Sequence, residues 1–600
     1  MKNIYRYKMS SVLVVPYLSL LLVLAITTPH TTFAQQHPPP VQEILARQES
    51  SRAAERVYIA TDRDAYVAGE TMWLSVYCVD IGNTSRLSNT SSIVYIELHN
   101  AKSLVLTAKV ALTIGRGSGA IELPPNLPTG NYKVISYTKQ MLNEQNPVLF
   151  EKIIPVYNVL SSERVEGQVV IGHNSVSGNN VDNSSSLSLS NLGGKAGLEI
   201  NFGKVGRVIS TENSFSFYLN NSGESVISAN ISIFKRDSIS NSYSKNFAQY
   251  FSELSQETPL FINNFVPEYE GEIISGKVLC ENNNLLWDKA LFLSAAGGVS
   301  DVYSTYIDSA GSFTFFTTPF FGNRDLVLEV PKANYNLTID YTIHDPFLRE
   351  NNKAIPLLVL DSSIFSSLKA RSIEMQLGRR FRVDTLYSRT AHYQDHLLQR
   401  KSITYKLDDY VRFPVMREVI TEYIPELRFR KIDKKIDLQV MLESSFQGIS
   451  FSSNNSLVLL DGVPIFDHEK IEEYNPLRVE SISIFNSDYI IGVASFNGVV
   501  SFRTYKGDYS GINFGESVRI LEYQGALYPS KMSASTVGSM DNLPDMRSML
   551  YWDPTISLSA GEKREIKVHT SSVPGEYIIL VEGISAKGVP FTYSTEFLVD

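Results

Sequence analysis

Short segments in which apolar and polar residues alternate are the dominant pattern of this chain. Residues 132–137 (YKVISY), 214–219 (SFSFYL) and 227–233 (ISANISI) each show this alternation. A period of two is the spacing of side chains on one face of a β-strand, because successive side chains point to opposite faces. Proline, glycine, asparagine and serine residues, which favour turns, separate these segments. The pattern predicts a mainly β fold of short strands and tight turns.

The spacing of strands and turns predicts tandem β-sandwiches of the immunoglobulin-like kind. Residues 57–159, 197–265 and 266–346 are the three segments richest in strand patterns, and a β-sandwich needs about 100 residues. Between the first two, residues 174–191 are asparagine or serine at 12 of 18 positions. Such a stretch cannot bury enough apolar surface to offset its ordering entropy. We therefore interpret residues 160–196 as a linker or long loop.

The pattern changes near residue 347. Residues 347–412 are mixed, with helical spacing at Ile364, Leu368 and Met375, and we interpret them as a connector. Further along, residues 509–545 have the composition of a loop. Residues 546–600 return to strand patterns and are predicted to form a separate C-terminal β module.

Residues 413–508 are predicted to form a small α/β domain that begins with an amphipathic helix. Its apolar face is formed by Val415, Met416, Val419, Ile420, Tyr423 and Ile424. Pro414 suits the first turn of that helix, and Pro425 ends it. Strands are predicted at residues 457–460, 479–485 and 499–503.

Residues 1–34 have the pattern of a cleaved signal peptide. Three basic residues precede an apolar stretch at residues 12–26, and Thr32 and Ala34 are small residues at positions −3 and −1 of a cleavage site. The apolar stretch is shorter than the span of about 20 residues that crosses a bilayer, so an uncleaved anchor is the weaker alternative. Residues 35–56 are then a linker with a short helix. Export to the periplasm, or to a site associated with the outer membrane, is expected.

Composition and charge exclude several classes of function. The formal net charge is −9, and no run of basic residues is present, so nucleic acid is not an expected partner. Two cysteines, Cys78 and Cys280, are too few for a disulfide-rich scaffold or a cysteine zinc finger. They fall in different predicted domains, and we predict two buried free thiols. Trp73, Trp287 and Trp552 are predicted to pack in cores, with sugar-binding platforms as the alternative.

Residues 57–70 read VYIATDRDAYVAGE. This phrase resembles the start of the second macroglobulin domain of alpha-2-macroglobulin-type proteins, in which proline is usual at the position of Ala68. The resemblance implies a macroglobulin-like sandwich at residues 57–159. Gly69 is expected in a tight turn, and Tyr58 and Tyr66 in the core.

Three ordered phrases resemble the plug domain of TonB-dependent outer-membrane receptors. They are LVLLDGVPI at residues 457–465, VESI at 479–482 and NGVVSF at 497–502. The resemblance implies that residues 413–508 form a plug-like α/β domain. The first of these phrases also contains a turn, at residues 461–464.

That turn is our candidate interaction loop, formed by Asp461, Gly462, Val463 and Pro464. An Asp-Gly pair between two strands is typical of a tight hairpin. A purely structural hairpin is therefore the alternative interpretation.

Two weaker resemblances concern other domains. LYWDP at residues 550–554 and PGEY at 574–577 resemble the C-terminal sandwich of exported Bacteroidetes-type proteins that combine macroglobulin-like and plug-like domains. Residues 266–346 resemble a carboxypeptidase-regulatory-type sandwich.

The chain departs from both families at the features that carry their activities. A receptor of this type has a barrel of about 22 strands after its plug, and the residues that follow Gly507 are too few for one. The macroglobulin thioester needs a cysteine–glutamate–glutamine motif, which neither Cys78-Val79-Asp80 nor Cys280-Glu281-Asn282 supplies. Neither a transport barrel nor thioester-mediated covalent trapping is expected.

No grouping typical of catalysis, cofactor binding or metal binding stands out. His392 and His396 would share a helix face with Asp395 between them, but a solvated surface is the simpler interpretation. We expect no catalytic residue, no cofactor and no metal.

The expected function is that of a non-enzymatic cell-envelope protein that acts through protein–protein contacts. It would be an accessory or scaffold of an outer-membrane, TonB-linked assembly. Its partner would be an outer-membrane or periplasmic protein, and peripheral association with a membrane is a further expectation. The alternative is a carbohydrate- or peptide-binding component of a surface uptake system.

Overall fold

The structure is a computed structural model that describes residues 53–82, 86–171, 197–203, 206–223, 225–239, 245–254, 259–263, 265–280, 286–297, 301–331, 339–349, 354–381, 387–389, 401–432, 435–444, 448–452, 455–515, 517–532 and 545–600. These residues form 36 β-strands and four α-helices, so the predicted mainly β class is confirmed. The predicted signal peptide, and most of the two predicted linkers at 35–56 and 160–196, lie outside them. None of the described helices has the length and apolar character needed to cross a membrane.

The first sandwich closely follows the predicted segment 57–159. Its strands are β1 (Glu55–Thr61), β2 (Tyr66–Val67), β3 (Thr71–Asp80), β4 (Arg86–Leu87), β5 (Ile93–His99), β6 (Leu104–Ala111), β7 (Arg116–Glu122), β8 (Gly130–Tyr137) and β9 (Phe150–Tyr157). One sheet holds β1, β3, β4 and β7, and the other has the order β2-β9-β8-β5-β6. Tyr58 and Tyr66 are buried in the core as predicted. Gly69 has φ 95°, which accounts for glycine in the turn before β3.

The chain then continues through five strands and a short helix. These are β10 (Val169–Ile171), β11 (Leu198–Asn201), β12 (Val208–Ile209), β13 (Ser214–Asn221), β14 (Ile227–Lys235) and α1 (Phe247–Glu253). A capping box starts α1: the side chain of Asn246 accepts a bond from the Gln249 N–H at 2.9 Å, and the Gln249 side chain accepts one from the Asn246 N–H at 3.1 Å. The helix places Phe247 in the core of the first sandwich.

The third predicted sandwich and the connector come next. The strands and helix are β15 (Ile273–Leu279), β16 (Ala290–Ala295), β17 (Asp301–Tyr306), β18 (Ser312–Phe316), β19 (Asn323–Glu329), β20 (Asp340–Ile343), β21 (Leu358–Leu360), α2 (Phe365–Phe381) and β22 (Tyr387–Arg389). Of the residues with helical spacing, Leu368 and Met375 lie in α2 and Met375 is buried, whereas Ile364 lies in a 3-10 turn just before the helix. Strand β21 pairs in parallel with β10, so the connector is anchored to the chain that follows the first sandwich.

The α/β domain contains β23 (Ile403–Lys406), α3 (Met416–Tyr423), β24 (Leu427–Ile432), β25 (Lys435–Ser444), β26 (Gly448–Phe451), β27 (Leu457–Leu460), β28 (Val463–Pro464), α4 (Glu469–Glu472), β29 (Val479–Ile491) and β30 (Ala494–Thr504). The predicted helix and three strands are all present. Its main sheet has the order β23-β29-β30-β27-β28. Met416, Val419 and Ile420 pack into its core, whereas Val415 precedes the helix and is exposed.

The remaining strands are β31 (Val518–Gln524), β32 (Ser530–Met532), β33 (Met549–Leu558), β34 (Lys563–His569), β35 (Gly575–Ser585) and β36 (Pro590–Val599). The first two fall in the predicted loop at residues 509–545. Strand β31 completes a sheet of the third sandwich in the order β17-β16-β19-β31, and the facing sheet has the order β18-β15-β20. Strand β31 pairs with β19, which lies almost 200 residues earlier in the chain. The sequence near β31 therefore contains no partner strand that would indicate its place in a sheet.

Residues 546–600 do not form a sandwich of their own, and neither do residues 197–265. Strand β13 pairs with β34, and β14 pairs with both β33 and β35. The resulting sheets have the orders β11-β13-β34 and β12-β36-β35-β14-β33, and they enclose one core. The two predicted modules are therefore halves of one second sandwich. The four C-terminal strands cannot close two facing sheets alone, and the halves are too far apart in sequence for local patterns to link them.

Candidate binding cleft

The α/β domain packs on the outer face of the sheet that contains β16. Phe292 and Val302 from that sheet share a hydrophobic cluster with Leu459, Tyr489 and other residues of the α/β domain. This explains why β16 is buried along almost its whole length, since both of its faces are covered. The Ser304 hydroxyl donates to the Ile491 carbonyl at 2.6 Å and fixes the two sheets at a second point.

A cleft of about 610 Å³ lies where these two domains meet. The third sandwich contributes the end of β16, the start of β19 and the end of β31, and the α/β domain contributes the turn after β30. The lining residues are Ala296, Gly297, Asn323, Arg324, Asp325, Gly507, Asp508, Tyr509, Glu522, Tyr523 and Gln524. A volume of this size is typical of ligand-binding clefts.

Asp461 holds the turn that forms one wall of the cleft. Its carboxylate accepts hydrogen bonds from the Thr504 N–H (2.8 Å), the Thr504 hydroxyl (2.6 Å) and the Tyr509 N–H (2.8 Å). Its carbonyl accepts a longer bond from the Gly297 N–H, across the domain boundary. Asp461 has φ 48°, a conformation that aspartate tolerates better than most residues. Asp461 therefore holds two lining residues of the cleft, Tyr509 and Gly297, in place through hydrogen bonds.

The predicted interaction loop is not a surface loop. Asp461 is 4% exposed, Val463 is fully buried, and Gly462 and Pro464 are buried as well. Strands β27 and β28 pair on either side of the turn. Residues 461–464 therefore offer no surface to a partner, and their geometry is that of the structural hairpin. Their contribution to the cleft is made through hydrogen bonds to lining residues.

Tyr509 is the aromatic residue of the cleft that the α/β domain supplies. Its backbone has φ 44°, a strained conformation for a bulky residue. Its hydroxyl donates to Asp325 Oδ2 at 2.7 Å, across the cleft. Burial and this hydrogen bond to Asp325 raise the pKa of Tyr509 above its usual value. The phenol therefore stays neutral and acts as a donor at physiological pH.

Arg324 occupies space that only a glycine leaves open. A Cβ atom added to Gly297 would lie 2.6 Å from Arg324 Nη1. Arg324 Nε donates to the Phe321 carbonyl at 3.2 Å, which orients the side chain. The guanidinium is thus held at the mouth of the cleft by the backbone around it.

Carboxylates outnumber cations in the cleft. Asp325, Asp508 and Glu522 face one guanidinium, that of Arg324. Hydrogen bonds from Ser510 lower the pKa of Asp508, so this exposed carboxyl is ionised at neutral pH. An arrangement of carboxylates beside tyrosine rings can hold a cationic group through charge-assisted hydrogen bonds and ring contacts.

The first sandwich supports the far wall of the cleft. Lys109 Nζ lies 2.6 Å from Glu272 Oε2 and 2.8 Å from the Tyr523 hydroxyl, and Tyr523 also donates to Glu272. Lys109 and Glu272 are each about 1% exposed, so this is a buried ion pair. Gln524 exchanges hydrogen bonds with Thr107 of β6. Three domains therefore meet behind the cleft.

A second polar junction joins the first sandwich to the connector and the second sandwich. Arg371 on α2 makes bonds of 2.7 and 2.6 Å to the two carboxylate oxygens of Glu70, and a bond of 2.7 Å to Asp237. Glu70 is the last residue of the macroglobulin-like phrase. Its charge serves domain assembly, because the pair is buried away from solvent.

The tryptophan and cysteine side chains differ in their burial. Trp73 and Trp552 are buried as predicted, but Trp287 is 61% exposed, so the core prediction is wrong for it. Cys78 is buried, Cys280 is half-buried, and both are free thiols. His392 and His396 lie outside the described residues. Across the described chain, no group of three or more His, Cys, Asp or Glu side chains is arranged to hold a metal ion.

The cleft residues carry no signal in the sequence alone. They come from four separate segments, and the longest uninterrupted piece is three residues. Tyr509 and Asp508 fall at the edge of a predicted loop, where tyrosine and aspartate are common. Only its strained backbone and its hydrogen bond to Asp325 distinguish Tyr509, and both become visible in the fold.

Comparisons with known proteins give structural neighbours but no family. Neither a protein-family model nor a curated protein matches this chain. Salmonella alpha-2-macroglobulin reacted with methylamine covers 91% of this chain and 39% of its own, with 9% identity and a TM-score of 0.22. The native E. coli alpha-2-macroglobulin covers 91% and 40%, with 8% identity and a TM-score of 0.23.

A CARDB domain from Pyrococcus furiosus, solved in complex with di-metal ions, covers 18% of this chain and 94% of its own, with 14% identity and a TM-score of 0.14. The chain spans about two fifths of the length of the macroglobulins that it matches. At these TM-scores the similarity to the solved structures says nothing about the function of this chain. The structural neighbours include bacterial alpha-2-macroglobulins, and the resemblance to a receptor plug stays a prediction.

Proposed function

We propose that this protein is a non-enzymatic component of the cell envelope that acts through protein–protein contacts. In this proposal it is an accessory or scaffold of an outer-membrane, TonB-linked assembly. The observation that carries the proposal is the cleft between the third sandwich and the α/β domain. It is open, it is lined by charged and aromatic side chains, and its walls are fixed by bonds between domains.

Fixed walls favour binding, because a partner then meets a surface that is already ordered. The hydrogen bond that the Tyr509 N–H donates to Asp461 holds the turn at Tyr509, and the buried Lys109–Glu272 pair holds Tyr523. Breaking either would leave a buried charge without its partner, which costs several kcal/mol. The cleft is thus a preorganised surface at the junction of three domains.

The envelope setting rests on the sequence. The expected signal peptide at residues 1–34 supports export, and the plug-like phrases at residues 457–502 support a place beside an outer-membrane receptor. The α/β domain that carries these phrases is also the domain that forms one wall of the cleft.

Site-specific photo-crosslinking tests this proposal. Benzoylphenylalanine replaces Asn323, an exposed residue of the cleft, or Lys567, an exposed residue of β34 on the second sandwich. Irradiation in envelope extracts should yield a discrete protein adduct from position 323 that position 567 does not give. No adduct from position 323, or identical adducts from both positions, would count against the proposal.

One observation favours the alternative, a carbohydrate- or peptide-binding component of a surface uptake system. Trp287 projects from the turn before β16 and is 61% exposed, and exposed tryptophan rings are suited to stacking on sugar rings. A glycan array and a thermal-shift screen would reveal such a ligand. Binding that is lost in Trp287→Ala would establish this alternative, and binding that is unaffected would dismiss Trp287 as its platform.

A further inference from the structure

Two carboxylates lie directly opposite each other on the floor of the cleft. Asp325 of β19 and Glu522 of β31 are antiparallel partners in register. The neighbouring residues Leu326 and Leu521 pack in the core of the sandwich, so Asp325 and Glu522 share the outer face of the sheet. Like charges at directly opposed positions of a sheet destabilise it.

The protein stabilises the charge of only one of these two carboxylates. Asp325 accepts the hydrogen bond from Tyr509. Within the described residues, no hydrogen-bond or ion-pair partner of the exposed Glu522 side chain is present. Arg324, the cation of the cleft, is oriented by the Phe321 carbonyl and fills the space beside Gly297. A cation from outside would therefore be stabilised between the two carboxylates.

The edge of strand β31 is a second feature that suits an extended peptide. It is the last strand of its sheet, and in the described part of the chain no strand pairs with its outer edge. An open edge presents backbone donors and acceptors to an extended segment of another chain. Ile520, two residues before Glu522 and on the same face, is 43% exposed and offers an apolar contact.

We infer that the cleft binds an extended segment of a partner protein, which lies along β31 and places a lysine or arginine side chain between Asp325 and Glu522. This inference rests on the proposed function and specifies the chemistry of the partner. The carboxylates select the charge, Tyr509 provides an aromatic ring beside it, and the edge of β31 aligns the backbone.

Fluorescence anisotropy tests the inference on the full chain. The probes are three capped, fluorescein-labelled hexapeptides: alternating valine and arginine, alternating valine and glutamate, and the arginine peptide with N-methylated valines. We expect saturable binding of the first peptide only. Binding should weaken as salt is raised, because the contacts are ionic.

Variants assign this binding to the cleft. Glu522→Gln should weaken the arginine peptide about tenfold, which is the effect of losing one favourable charged contact, and Glu522→Lys should abolish binding. The control is Glu565→Lys, which reverses an exposed charge on β34 and should leave the affinity unchanged. Both positions are exposed, so the variants should fold, and unfolding curves check this.

Equal binding of the arginine and glutamate peptides, or equal effects of Glu522→Lys and Glu565→Lys, would overturn the inference. Undiminished binding of the N-methylated peptide would overturn the role of the strand edge. These results are distinct from failure of the proposed function. If the crosslinked partner at position 323 is retained in Glu522→Lys, the cleft is an interface but does not select a basic segment.

Discussion

Asp461 shows how one side chain determines the shape of the cleft. Its carboxylate accepts three hydrogen bonds and reaches both the end of β30 and the strained turn at Tyr509. Buried acceptors that are fully bonded are stabilising, whereas removing their charge leaves donors poorly matched. The Asp-Gly pair thus contributes by holding other residues in place.

At the residue scale, Asp461→Asn should lower the free energy of unfolding by about 2–3 kcal/mol. Asparagine tolerates the same backbone conformation, so the loss of stability reports on the carboxylate alone. In the variant, an amide NH₂ would face the N–H donors of Thr504 or Tyr509. Denaturant unfolding measures it. The matched control is the exposed Asp508→Asn, which should change stability by at most about 0.5 kcal/mol; equal losses in both variants would contradict the role of Asp461.

Gly492 makes a close contact between the α/β domain and the third sandwich possible. It has φ 50°, and an added Cβ would overlap the carbonyl oxygen of Ser304. This backbone atom cannot move aside without displacing β17.

We therefore expect Gly492→Ala to separate the α/β domain from the third sandwich locally. Amide hydrogen exchange should become faster in β17 and in β29, where the two meet. Gly561→Ala is the control, since that glycine also has a positive φ but no atom within 4 Å of the added Cβ. Unchanged exchange in β17 would show that the walls tolerate the displacement.

At the scale of elements, the second sandwich is the least local unit of the fold. Its strands come from residues 198–235 and 549–599, and each sheet mixes strands from both segments. The neighbouring strands are joined by hydrogen bonds that no local sequence pattern specifies. A change in one segment should therefore be felt in the other.

Phe217→Ala tests that coupling. Phe217 is fully buried in β13, in a core shared with Val581 and Phe597, and its truncation should cost about 3–5 kcal/mol. Limited proteolysis should then cut the C-terminal strands β34–β36 faster. Ser216→Ala, a half-buried neighbour on the other face, should leave the cleavage rate unchanged. If only residues 198–235 became sensitive, the two segments would be separate units.

At the scale of the whole molecule, polar junctions between domains are buried. Glu268 leads into the third sandwich and lies against the first: the Tyr95 hydroxyl donates to its Oε1 at 2.7 Å, and the Ile273 N–H donates to the same oxygen at 3.1 Å. Burial and, to a smaller extent, Glu272 raise the pKa of Glu268, whereas Tyr95, Ile273 and Lys139 lower it; the resulting pKa is about 7. The junction therefore favours the protonated carboxyl.

This predicts a pH dependence with a definite sign. The folded pKa lies above the unfolded value of 4.5, so the folded state holds more protons between these two values, and stability from this group falls as pH rises from about 4.5 to about 7. The loss is about 3 kcal/mol. Glu268→Gln should remove it, so the difference in Tm between variant and wild type should grow from pH 5 to pH 7 and then level off. A constant difference would contradict the assignment.

Local sequence patterns predict the mainly β class, the first sandwich, the helix α3 and the three strands of the α/β domain. These depend on alternation and helical periodicity within a few residues, and burial of Met416 follows from the same patterns. Burial of Tyr58 and Tyr66 was expected instead from the phrase at residues 57–70 in which they stand. Trp287 shows the limit of this reasoning, because an aromatic residue in a turn has the same local pattern whether it is buried or exposed.

Which strands complete which sheet becomes clear only in the folded protein. Strand β31 joins the third sandwich, and the C-terminal strands join those of residues 198–235, because sheets are closed by hydrogen bonds between segments that are distant in sequence. The cleft follows from the same cause. Asp325 and Glu522 become neighbours only through strand register, and Tyr509 reaches them only because two domains pack face to face.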